Sequence, residues 1–163
     1  MTHSGTSPAG YSIAQKALHW AVVFLIAAQY LLFDGVGRTF NMLLRDGVAG
    51  YDVTMIGHIV IGVAILLASL ARLALRLRHG APALPEGQHP MLARLAHGAH
   101  MLLYILLLAL PISGLIAWFG ALGGMGEVHG VLTSALLAVI ALHVAGALAH
   151  QFILKDNLIR RIV

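Results

Sequence analysis

The stretch from Val128 to Leu154, VHGVLTSALLAVIALHVAGALAHQFIL, holds no Asp, Glu, Lys or Arg. The hydrocarbon core of a bilayer is roughly 30 Å thick, and about 20 mostly apolar helical residues cross it. This segment is long enough to do so, and nothing in it demands water. It carries three histidines, His129, His143 and His150, and ionisable side chains at membrane depth mark functional sites facing a bundle interior.

Working outward, three more runs have the same character, at about 13–33, 53–77 and 91–119. Hydrophobic residues make up 60% of the 163, charged residues 10%, and the mean hydropathy is +0.89. Soluble domains carry about 25% charged residues, so a water-soluble globule is excluded. The expected fold is all-α, an integral membrane four-helix bundle. One membrane domain over 11–163 follows a polar tail, 1–10, expected to be disordered and without the charged n-region of a signal peptide. Pro111, followed by Ser113 and Gly114, is expected to kink the third span, and Gly120–Gly126 reads as a glycine-rich turn. No cysteine is present, which excludes disulfides, thiolate metal sites, iron–sulfur ligation and C-x-x-C-H haem attachment.

The net charge of +4 does not imply nucleic-acid binding, because the basic residues flank the spans. With four spans, both termini and the second connection share a side. Lys16, Arg72, Arg76, Arg78, Arg94, Lys155, Arg160 and Arg161 fall there, against Arg38 and Arg45 opposite. The positive-inside rule makes the first side cytoplasmic. The outer side carries Asp34, Asp46, Asp52 and Glu127, and both termini are expected on the cytoplasmic side.

Of ten histidines, His3, His79 and His89 lie in polar segments and receive no role. His19, His58, His97, His100, His129, His143 and His150 fall in or at the ends of spans. A lone intramembrane histidine is most simply a hydrogen-bonded contact between helices; seven together favour a cofactor. From His129 to His143 is fourteen residues, about 21 Å of rise and only about 40° short of four full turns. Both rings therefore point the same way at two depths, as two stacked haems require. Matching depths pair His58 with His129 at the outer site and His19 with His143 at the inner one. Two imidazoles leave no open iron position and favour electron transfer. Gly57, Gly62, Gly130 and Gly146 suit either a flat macrocycle or close helix packing. His97, His100, His150, Lys16, Arg72, Arg76 and Arg94 are candidates for propionate or quinone contacts, with topology anchoring an equal account of Arg72 and Arg76. Spacing also leaves His97 and His100 open as inner ligands.

An ordered set of short motifs runs along the chain: Leu18-His19-Trp20, Met55-Ile56-Gly57-His58, Leu95-Ala96-His97-Gly98-Ala99-His100 and Ala109-Leu110-Pro111-Ile112-Ser113-Gly114. Gly126-Glu127-Val128-His129, Ala141-Leu142-His143-Val144, Ala149-His150-Gln151-Phe152 and Lys155-Asp156-Asn157 complete it. In this the chain resembles the bacterial cytochrome b561 family over nearly everything after Gly10. The resemblance implies four transmembrane helices, two b haems, exchange of electrons with quinone, and His19, His58, His129 and His143 as axial ligands. It further implies an activity like that of superoxide oxidases, which pass an electron from periplasmic superoxide to ubiquinone.

Three functions follow as expectations. The first is a superoxide:quinone oxidoreductase, with Arg38 and Arg45 steering the anion. The second is a subunit relaying electrons between quinone and a periplasmic redox protein, favoured by the acidic outer face and by a 120–126 connection shorter than that of superoxide-oxidising members. The third is a haem-free carrier of metal or protons. The apolar outer faces also allow a homodimer.

Overall fold

A computed structural model describes residues 10–33, 35–82 and 90–163. The 1–9 part of the tail with His3, Asp34, His89 and the hinge residues Ala83, Leu84 and Pro85 lie outside the described residues.

Helix α1 spans Ile13–Leu32. Ser12 starts it with a reciprocal cap: its hydroxyl accepts from the Gln15 backbone N–H, and the Gln15 side chain accepts from the Ser12 N–H. The Gln15 amide also donates to the Gly80 carbonyl at 3.2 Å, which ties the start of α1 to the end of the next spanning helix.

The 34–52 connection contains a helix, α2, at Val36–Asp46, where the sequence suggested only a polar loop. Gly35 and Gly47, with φ of +85° and +67°, bound it, conformations that cost glycine little. Few apolar residues interleave with Arg38, Asn41 and Arg45. Val36, Phe40 and Leu43 nevertheless recur on one face and pack with Met55, Ile59 and Trp118.

Helix α3 spans Val53–His79. Asp52 caps it through one oxygen, accepting from the Met55 N–H at 2.7 Å, and accepts from the Thr39 hydroxyl at 3.2 Å through the other. One carboxylate thus starts α3 and holds α2 against it. Arg76, Arg78 and His79 occupy the last turn, where cations complement exposed carbonyls.

Helix α4, Pro90–Gly120, runs on through Pro111, so the interruption expected there does not divide the span. Helix α5 begins at Gly123 and reaches Ala149, five positions earlier than the apolar run suggests. Most of the expected glycine turn is therefore helical, and Ala121 makes the reversal at φ +49°. Gly126 faces the Phe40 ring, where any side chain would collide. A π-helical turn, His150–Leu154, extends the span, and a 3-10 turn follows at Leu158–Arg161.

Four helices are long and apolar enough to cross a membrane. Helices α4 and α5 pack most extensively, then α1 with α3, then α3 with α4. The α1–α5 seam is looser and is joined by the Tyr30 hydroxyl donating to the Thr133 carbonyl at 3.3 Å. Val22, Ile65, Leu106, Leu107 and Leu136 form a thin central core, while Phe24, Leu31, Val131 and Leu142 turn outward. Apolar groups on the outside suit lipid, not water. Among the described residues there is no strand.

Candidate functional site

Two groups of histidines occupy the two ends of the bundle interior. At the end that carries α2, His58 of α3 faces His129 of α5, with ring centroids 6.1 Å apart and planes at 69°. His129 is held from α4: its Nδ1 lies 3.0 Å from the Leu110 carbonyl and 3.2 Å from the Ser113 hydroxyl, which itself donates to Leu110 at 2.8 Å. A carbonyl can only accept, so Nδ1 carries the proton and Nε2 keeps its lone pair. Gly114 makes this possible, since a Cβ there would stand 2.9 Å from the ring. On the other side the Gln29 amide nitrogen lies 2.6 Å from His58 Nδ1 and 3.1 Å from the His58 carbonyl.

At the opposite, basic end, His143 of α5 meets His100 of α4 edge to face, with centroids 5.1 Å apart. His100 Nδ1 donates to the Ala96 carbonyl at 2.8 Å. His19 of α1 is near enough to both rings to interact electrostatically, and Arg72 Nη2 lies 3.0 Å from its Nδ1. The Arg72 and Arg76 guanidinium groups stand 5.7 and 5.9 Å from the Tyr104 ring.

The structure therefore brings His58 to His129, and gathers His19, His100 and His143, with His100 as the ring in contact with His143. His97 is exposed and lines a groove between α3 and α4. His150 pairs with Asp156, and Lys16 donates to the Val163 carbonyl at 2.6 Å. Arg94 is exposed. Arg38 and Arg45 are exposed on α2, with Arg45 3.9 Å from Asp46. Gln29, Ser113 and Gly114 were not singled out as site residues. The signal was available for Gln29, an amide in the largely apolar second half of the first span.

Residues 10–163 match the family described as prokaryotic cytochrome b561. The chain belongs to that family. Among curated relatives, a cytochrome b562 of Cereibacter sphaeroides is 32% identical, across 97% of this chain and 98% of the relative. A probable superoxide oxidase CybB of Yersinia pestis is 29% identical, across 94% and 95%. Cytochrome b561 homolog 2 of Escherichia coli is 25% identical, across 96% and 93%. The chain is thus a multi-pass bacterial membrane protein of a lipid environment, a b-type cytochrome that transfers electrons.

The residues present fit a b-type haem. His58 and His129, with ring centroids 6.1 Å apart, are the residues that would hold it at this end, since metal–imidazole bonds of about 2 Å need a separation of roughly this size. A Cβ built on Gly62, Gly130 or Gly146 meets nothing within 4 Å, which leaves helix surface near the histidines open to a flat group, whereas the Phe33 ring covers Gly57, so that glycine serves close packing instead. Among the described residues, no three His, Cys, Asp or Glu side chains form a site for a bare metal ion.

Proposed function

We propose that the chain carries electrons between the two membrane faces on two b haems, most directly from superoxide outside to ubiquinone. The observation that carries this reading is the pairing of His58 with His129 at 6.1 Å, with a second histidine group further along the same α5 helix. His58 and His129 hold the outer haem. His143 and His19 hold the inner one, because two rings at 5.1 Å, as in His100 and His143, stand too close to admit an iron between them. When bound, the haems would supply one-electron relay centres.

The protein's own groups orient and shield. The Leu110 carbonyl and Ser113 fix the His129 ring. Arg72 donates to His19 Nδ1, so ligation through Nε2 requires Arg72 to release that nitrogen, and a haem propionate is its natural next partner. A groove of about 310 Å³, lined by Leu73, Arg76, His97, His100 and Tyr104 among others, offers a quinone an apolar wall with few polar groups. Arg38 and Arg45 face solvent at the other end and would attract an anion. The basic end is cytoplasmic, both termini with it, in the inner membrane, and 11–163 forms one domain.

Haem quantification with a reduced-minus-oxidised spectrum tests the wire: two haems per chain, the same one lost from His58→Ala and His129→Ala, the other from His143→Ala and His19→Ala. Loss of the inner haem from His100→Ala instead of His19→Ala would replace that ligand. Stopped-flow mixing of the oxidised cytochrome with superoxide tests the donor. Reduction by quinol with indifference to superoxide would favour the second reading, a relay to a periplasmic redox protein, to which the exposed acidic Asp46 and Glu127 lend support.

A further inference from the structure

We infer that Gln29 is a positioning residue for the outer haem ligand: its side-chain carbonyl accepts from His58 Nδ1–H, fixing the ring's tautomer and lowering the reduction potential of the haem held there. This rests on the reading of His58 as an axial ligand. The Gln29 amide nitrogen stands 2.6 Å from His58 Nδ1, and its oxygen is buried without a partner. With the nitrogen so placed, Nδ1 must accept and the ring proton sits on Nε2, where it blocks ligation. Iron requires the Nε2 lone pair, which leaves the proton on Nδ1, and two donors cannot face each other at that distance.

The nitrogen and oxygen of an amide are interchangeable in position; with its oxygen turned to Nδ1–H the amide meets the ligating tautomer, in exchange for the 3.1 Å bond its nitrogen now gives the His58 carbonyl. An acceptor on the outer nitrogen makes an imidazole ligand more basic and favours the oxidised metal. His129 already has this arrangement from the Leu110 carbonyl, and Gln29 supplies its counterpart on the facing ring. An amide in an apolar span is costly without such a partner, and the sequence around it, Ala27-Ala28-Gln29-Tyr30-Leu31-Leu32, offers none of its own.

The test is an equilibrium redox titration of the haem-loaded protein carrying Gln29→Leu or Gln29→Met. Both remove the acceptor at similar volume. At fixed ambient potential, the ratio of reduced to oxidised outer haem is expected to rise about tenfold, equivalent to about 59 mV for one electron, with the inner haem unmoved. Gln29→Glu, which keeps a carboxyl oxygen at the place, should hold the ratio at or below the starting value. An unmoved ratio in both apolar variants overturns the role of Gln29. His58→Ala separates the two levels of the argument. If it keeps both haems, the ligand reading fails and this inference with it; if it loses the outer haem while the ratio stays unmoved in the apolar variants, only the role of Gln29 fails.

Discussion

Gly114→Ala is the most economical test of the outer site, because it adds one methyl group and replaces no proposed ligand. A Cβ at this position would lie 2.9 Å from His129 Cε1 and 3.0 Å from Nδ1. Ordinary carbon contacts begin at about 3.5 Å, so the ring must retreat by about half an ångström. It cannot do so freely, since Nδ1 is held at 3.0 Å by the Leu110 carbonyl. Stretching that bond to about 3.5 Å takes it to the limit of a useful hydrogen bond. Loss of the bond costs about 1 kcal/mol, and overpacking adds about 1–3 kcal/mol. Together these amount to a weakening of outer-haem retention by roughly thirtyfold to a thousandfold. Purified protein should therefore carry close to one haem per chain by pyridine haemochrome assay, with the inner haem's spectrum unchanged and the four spans still folded by circular dichroism. Two full haems with an unaltered difference spectrum would refute the close approach of α4 to His129 on which the outer site depends.

Other outcomes follow from the same geometry. Arg72→Leu removes a cation from the inner site beside His19; a unit charge within about 10 Å of the redox centre, at an effective dielectric of about 20, is worth about 2 kcal/mol. The inner haem should therefore become harder to reduce, by on the order of 100 mV in a redox titration. Arg38→Ala with Arg45→Ala should slow superoxide reduction of the cytochrome severalfold at low salt, with the difference vanishing as ionic strength rises; a salt-independent rate would remove these residues from the donor path. His97→Ala should raise the KM for quinol several-fold at constant haem content, and an unchanged KM would put the quinone outside the α3–α4 groove.

The spans were legible because hydropathy needs only length and composition, and the 14-residue interval placed His129 and His143 on one face of one helix. That arithmetic runs along a helix and not between helices. It could not tell how α1 and α4 turn about their own axes, which is why His100 stands against His143 where depth alone suggested His19. Helix α2 was hidden for a different reason: only Val36, Phe40 and Leu43 of its inner face join the core, too few among charged neighbours to stand out as a period. The early start of α5 was masked by Gly123, Gly124 and Gly126. Glycines ordinarily signal a turn, yet Gly126 is needed inside the helix because the Phe40 ring of α2 presses on it. Missing one element thus concealed the start of the other.

The two histidine groups differ in kind, and the difference bears on the direction of flow. At the α2 end, His129 Nδ1 rests on a carbonyl, and such acceptors favour the oxidised state of a bound metal. At the other end Arg72 lies against His19, with Arg76 over the same Tyr104 ring. Cations favour the reduced state. On the proposed ligands, an electron is therefore held better at the basic end. An electron moving toward a negative cytoplasm works against about 2.3 kcal/mol per 100 mV of membrane potential, and one partly buried arginine within about 10 Å, at an effective dielectric of about 20, would offset a similar amount. On the proposed orientation and ligands, the basic residues that would set the topology would also make the inward direction the downhill one.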